Sequence, residues 1–125
     1  MEVVRYEEGV EYHAPNQPDR RVKIFKPENF SESDKIQVGM TLIAPKQKGS
    51  LHAHETSETM ILIHGEGRWF TQDKHYDLKP LSVVYVPPRE LHGYENLSST
   101  QTLEFIWIYT PAGAEKAIEK GWVKV

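Results

Sequence analysis

The sequence contains no cysteine. That excludes disulfides, thiolate metal sites and thiol nucleophiles together, and it fits a reducing compartment. No apolar run reaches the length of a signal-peptide core or a membrane span, and the start of the chain carries Glu2, Arg5, Glu7, Glu8 and Glu11. A cytoplasmic protein with no membrane partner is therefore expected. Charge of one sign is lacking as well: 15 Lys and Arg stand against 18 Asp and Glu, a net charge of −3 without any basic cluster. Such a surface gives a nucleic-acid backbone no electrostatic footprint, so no nucleic-acid partner is expected. Internal repeats, low-complexity tracts and linkers are also missing. What is present is an ordinary globular composition, 38% hydrophobic, 10% aromatic and 26% charged over 125 residues, which leaves room for a single domain over 1–125.

Short runs rich in Val, Ile, Tyr, Phe and Trp recur between turn signals, the pattern of an all-β sandwich or barrel. They cover 21–25, 36–44, 59–64, 67–71, 82–86 and 102–109, with turn residues at 45–50, 65–67, 71–74, 79–80 and 87–90. Residues 14–19 read as a loop joining an N-terminal arm, 1–20, to a core barrel at 36–110. The one helical signal is at 111–121, where Thr110 can cap, Pro111 can take the first helical position and Gly121 can stop the element. A functional site must then lie inside the barrel or at its mouth.

Of the six histidines, three keep suggestive company. In an extended segment residues two apart project from one face, so His52 and His54 can both point inward, and Glu58 shares their parity. His92 follows the apolar run 82–86 and the turn at Pro87, Pro88 and Arg89, so a neighbouring strand can bring a third imidazole to the same point. Three imidazoles and one carboxylate suit a single divalent transition metal, whether Fe, Mn, Ni, Cu, Co or Zn, and His52, His54 and Glu58 alone would leave open positions. The competing reading of a His-x-His pair is two solvated strand residues. His75 lies in a polar turn at 73–77, His64 directly precedes the Gly65 turn and His13 sits in the arm. None of these three is read as a ligand, although His13 would cap the barrel mouth if the arm folded over it.

The run Pro45-Lys-Gln-Lys-Gly-Ser-Leu-His52-Ala-His54, continued by Glu58 and Gly65, resembles the first signature of the cupin superfamily. Pro87, His92 and Asn96 resemble the second. The 15 residues between Gly65 and Leu81 equal the short spacing of small microbial cupins, and the resemblance runs from about Val38 to Tyr109. It implies a cupin-type double-stranded β-helix, a jelly-roll barrel of about six to eight strands in two facing sheets, with His52, His54, Glu58 and His92 holding a metal in the interior. Three family glycines are replaced, by Lys46, by Leu81 and by Arg89. Because those glycines serve tight turns at positive φ, the replacements bear on turn geometry rather than on the ligands.

Strand parity puts Met60 and Leu62 on the face of Glu58. On the last strand Leu103, Phe105, Trp107 and Tyr109 share one face. The resemblance assigns that face to the pocket, so Met60, Phe105 and Trp107 become candidate substrate contacts, the plain alternative being ordinary core. A divalent ion with three neutral imidazoles and one glutamate keeps a formal charge of about +1, which attracts carboxylates, enolates or alkoxides. A small anionic or oxygen-rich molecule is the expected partner, with Arg21, Arg68 or Arg89 available as a second anchor. No catalytic residue beyond the ligands is named. A dioxygenase-like oxidoreductase is the first functional expectation. A non-redox isomerase, lyase or decarboxylase is the second, and a non-catalytic small-molecule-binding cupin the third. A homodimer is expected too, because a β-domain of this size leaves a sheet edge that the arm at 2–12 of a second copy can cover.

Overall fold

The computed structural model describes residues 1–25 and 34–125. Among the described residues ten strands and one short α-helix follow in chain order: β1 Val10–Ala14, β2 Gln17–Phe25, β3 Gln37–Ile43, β4 Ser57–His64, β5 Gly67–Phe70, β6 His75–Leu78, β7 Val83–Val86, β8 Gly93–Asn96, β9 Leu103–Thr110, α1 Lys116–Gly121 and β10 Val123–Lys124. They form two antiparallel sheets, a seven-stranded one in the order β10-β1-β2-β3-β9-β4-β7 and a three-stranded one in the order β6-β5-β8. This is the all-β jelly-roll barrel that the residue pattern and the resemblance imply.

Alternation explains why the long strands form where they do. On β3, β4 and β9 buried residues occupy every second position, giving one face made of Gln37, Gly39, Thr41 and Ile43, of Glu58, Met60 and Leu62, and of Leu103, Phe105, Trp107 and Tyr109. Phe105, Met60, Ile43 and Leu103 are wholly buried and Trp107 nearly so, each such side chain contributing about 1.5–3 kcal/mol relative to exposure. One glycine makes room for the largest of them. Gly39 pairs with Trp107 across β3 and β9, and a Cβ there would lie 2.0 Å from the indole Cζ2.

Two buried side-chain amides are tied to the backbone. The Gln37 amide donates to the carbonyls of Phe25 at 2.6 Å and Val38 at 2.8 Å. Asn96, at the end of β8, donates to the carbonyls of Ile43 and Gln101 and accepts from the Ser98 N–H. It thereby pins the far end of the second signature to β3 and to the start of β9.

Several expectations need correction. The segment 1–20 is not a free arm, since β1 pairs with β2 and with β10 of its own chain and only a 3-10 turn at Tyr6–Glu8 precedes it. The loop expected at 14–19 shrinks to Pro15 and Asn16, because Asn16 adopts φ 63° and closes a tight hairpin. Residues 73–77 are not simply a polar turn, because β6 begins at His75 and is stabilised by pairing with β5. The helix is shorter than 111–121. Residues 111–115 form bends and turns, in which the Gly113 N–H donates to the Glu115 carboxylate at 2.7 Å, and α1 spans Lys116–Gly121. Among the described residues, no helix is long and apolar enough to cross a membrane.

Candidate metal centre

The centre is assembled from two loops and one strand. The segment before β4 runs antiparallel to β8, with Gly49 N–H bonded to the Tyr94 carbonyl at 2.9 Å and Asn96 N–H to the Gln47 carbonyl at 2.9 Å. His52 and His92 continue this ladder as a reciprocally bonded pair, at 3.0 and 2.9 Å. Their rings are thereby brought to a centroid distance of 4.4 Å. His54 follows two residues on, its carbonyl accepting the Arg89 N–H at 2.7 Å, so the turn before His92 also holds the loop that carries His54. Glu58, on β4, lies between Val86 of β7 and Tyr109 of β9 in the sheet and is buried.

One ligand atom from each of His52, His54, Glu58 and His92 lies within 4.8 Å of the others. The Nδ1 of His52 is 2.8 Å from the Ser50 carbonyl and that of His92 is 2.8 Å from the Glu90 carbonyl. A carbonyl can only accept, so each Nδ1 carries the proton and each neutral ring turns an Nε2 lone pair inward. The Nε2 of His92 is 3.1 Å and that of His54 3.3 Å from the same Glu58 oxygen, and the His54 nitrogen is buried without a hydrogen-bond partner. Electron-pair donors facing one another at such distances require a cation among them, a proton or a metal. The donor set fits a first-row divalent ion.

Electrostatics follow from the same contacts. Burial pushes the Glu58 carboxyl up, but the close imidazoles of His54 and His92 outweigh it and hold Glu58 below the usual carboxylate range. For His92, burial favours the neutral ring, yet the bonds to Glu58 and to the Glu90 carbonyl prevail and raise it, whereas burial dominates at His52 and lowers it. Burial raises both Tyr94 and Tyr109, the latter well above its ordinary value with the Glu58 charge adding to the effect, so both phenols stay protonated.

The cluster opens into a cavity of about 270 Å³ walled by Phe105, Trp107 and Tyr109 from β9, by Tyr94 and by Ile118 and Trp122 at the C-terminal end. A larger groove of about 510 Å³ meets the cluster only through His92, so the smaller cavity belongs to the site. Phe105 and Trp107 thus lie on the cavity wall. Met60 does not: it packs one layer away, its sulphur accepting the Trp69 indole N–H at 3.2 Å. Arg68 is tied to Asp77, Arg21 to Glu11 and Arg89 to Glu55, all away from the cavity. His13, His64 and His75 stand outside the cluster. Sequence reasoning missed Arg20, Tyr94 and Trp122. Tyr94 had a signal, sharing parity with His92 two residues earlier, whereas Arg20 and Trp122 had none because their segments read as arm and helix stop.

Residues 39–109 match the family described as the cupin domain. The chain belongs to the cupin family. A solved RmlC-like cupin from Shewanella frigidimarina superimposes with a TM-score of 0.73 at 17% identity, over 93% of this cupin and 96% of that chain. A predicted oxalate decarboxylase from Thermotoga maritima gives 0.71 at 22% identity, over 88% and 99%. By sequence, 54 residues are 37% identical to the HTH-type transcriptional activator RhaS of Mannheimia succiniciproducens, 43% of this cupin. The alignment spans about a fifth (20%) of that relative's length.

Proposed function

We propose that this cupin is a metal-dependent enzyme acting on a small anionic or oxygen-rich molecule, with His52, His54, Glu58 and His92 as the metal ligands. The observation that carries the reading is the convergence of the four ligand atoms within 4.8 Å, with two of the imidazoles locked by backbone carbonyls in the tautomer that ligates. A redox-active ion held there would supply O₂ activation, and a redox-inert one would polarise a carbonyl. The chain's own residues do the rest. Phe105 and Trp107 exclude water and offer apolar contact, and a cavity of about 270 Å³ restricts the substrate to a compact molecule.

Dioxygenase-type oxidation is the first reading, because three imidazoles and one carboxylate suit a redox-active first-row ion, which would supply O₂ activation when bound. One observation favours a second reading, a non-redox isomerase, lyase or decarboxylase: Tyr109 sits with its ring 5.0 Å from that of His54 and is held protonated. A protonated phenol beside the centre can donate to a substrate carbanion or enolate. Metal analysis of freshly purified protein, followed by O₂ uptake with a panel of small carboxylic acids and catechols, separates the two. Iron, copper or manganese with O₂ consumption supports the first. Turnover of an acid without O₂ uptake supports the second. Protein that takes up no metal in supplemented medium overturns both.

We also propose a homodimer. The arm is used within its own chain, but β7 ends the large sheet with no neighbour on its outer side among the described residues, and it exposes Val83 and Tyr85, with Leu81 just before it. An edge of this kind is a template for a second copy.

A further inference from the structure

The cavity wall includes one arginine, Arg20 within β2, and its surroundings differ from those of the other arginines. Arg5, Arg21, Arg68 and Arg89 each face a carboxylate: Glu8, Glu11, Asp77 and Glu55. Arg68 shows what the guanidinium edge does when satisfied, its Nε donating to one Asp77 oxygen at 2.6 Å and its Nη2 to the other at 3.0 Å. On Arg20 the same edge has no acid among the described residues. Its Nε is buried without a hydrogen-bond partner, and its Nη2 reaches only the Tyr94 hydroxyl, at a long 3.3 Å. Aromatic faces hold it instead, with the guanidinium carbon 5.2 Å from the Trp122 ring centre and 5.9 Å from that of Tyr94.

A buried donor without a partner is costly and persists where something else completes it. Tyr94 also links this group to the ligand cluster, its ring lying 6.3 Å from the His52 imidazole. We propose that Arg20 is the anion anchor of the cavity. Its planar fork grips a carboxylate of the substrate while a second oxygen group of the same molecule reaches the centre formed by His52, His54, Glu58 and His92. The substrate class this selects is a small acid carrying two oxygen functions, such as a dicarboxylate or an oxo- or hydroxy-acid, since a fork of two donors matches carboxylate geometry. The inference rests on the proposed metal-centre reading for the second contact and on Arg20 alone for the first.

The test titrates malonate, succinate and their monomethyl esters into metal-loaded and metal-free protein, followed by tryptophan fluorescence, because Trp122 is stacked on the anchor. Wild type is compared with Arg20→Gln and with Arg20→Lys, which keeps the charge but loses the fork. Arg20→Gln is expected to weaken diacid binding by about tenfold to a hundredfold. Arg20→Lys should fall in between, the monoesters, which keep one carboxylate for the fork, should be weakened likewise, and metal content should not change. Equal diacid affinity in wild type and Arg20→Gln, or no saturable binding to wild type, overturns the anchor while leaving the metal centre standing. Arg20-dependent binding in a chain that takes up no metal supports the anchor and removes the metal-centre reading. Should Arg20→Gln fail to fold, Arg20→Lys decides: weakened binding of the diacids supports the anchor, and wild-type affinity overturns it.

Discussion

Lys46, Leu81 and Arg89 occupy the three turn positions where the cupin pattern has glycine, and all three adopt left-handed backbone, with φ of 70°, 74° and 68°. The turns have kept their geometry and the side chains have been forced into it. Their backbone bonds show why: Lys46 N–H donates to the Ser98 carbonyl at 3.2 Å, Leu81 N–H to Leu62 at 2.7 Å and Arg89 N–H to His54 at 2.7 Å. An L-residue with a Cβ loses about 1–2 kcal/mol in this region, against which glycine loses about 0.5–1 kcal/mol through its greater freedom in the unfolded chain. None of the three side chains is buried, Leu81 being 79% exposed, so replacement removes no core packing. Each of Lys46→Gly, Leu81→Gly and Arg89→Gly is therefore expected to stabilise the protein by about 0.5–1 kcal/mol, with bulky Leu81 giving the largest gain. The triple variant should gain about 2 kcal/mol if the turns act independently, a rise of several degrees in Tm for a domain of this size. Urea denaturation of metal-free protein measures it. Destabilisation in all three single variants would refute the strain argument, and a gain missing from Arg89→Gly alone would be put down to loss of the Glu55 pair.

Four further outcomes are expected. His54→Ala should keep the barrel, since its ring lines a cavity, but lose metal affinity by more than about 100-fold, because losing a group that merely orients a ligand already costs about 10–100-fold; unchanged metal content by elemental analysis would contradict the assignment. In metal-free protein His92 is raised, so its contribution is complete below the unfolded value of 6.5 and fades as pH rises through its folded value, while lowered Glu58 contributes above 4.5 and fades as pH falls through its own. The stabilisation from this pair should thus be fullest between those two values, and the rise in Tm on adding metal should be larger at pH 8 than at pH 5.5, where protons compete; the reverse order in a thermal-shift series would count against it. Gly39→Ala should cost about 1–3 kcal/mol by displacing Trp107, seen as a lower urea midpoint with altered tryptophan emission, and wild-type behaviour would mean the strand backbone yields instead. Light scattering should give a dimer that Val83→Lys with Tyr85→Lys dissociates; a 14.5 kDa particle from wild type at micromolar concentration would exclude it.

How much of this was legible in the sequence depended on periodicity. The runs at 36–44, 59–64 and 102–109 announce β3, β4 and β9 because burial on one face imposes strict alternation. β6 and β8, the strands flanking β5 in the small sheet, are short and polar in sequence, His-Tyr-Asp-Leu and Gly-Tyr-Glu-Asn, and take their conformation from pairing with β5. The four residues of the cluster were legible because local spacing and parity bring three of them together. Arg20 and Trp122 were not, because they reach the cavity only through β2 and the segment after α1, and long-range packing leaves no local mark. Met60 shows the limit of parity, since it shares a face with Glu58 and still lies a layer away from the cavity.

His52, His54 and His92 lie outside the ten strands, joined to one another by the reciprocal His52–His92 pair and to the turn at Arg89, while Glu58 alone stands in a sheet. The centre is thus a hasp between two loops, and the barrel need not unfold for it to open. Exchange of whatever is bound there should follow local opening of 47–54, with a rate insensitive to denaturant far below the global transition. The amide protons of His52 and His92 are where such opening would register, their hydrogen exchange slowing on loading while those of Trp107 and Phe105 in the sheet stay as they were.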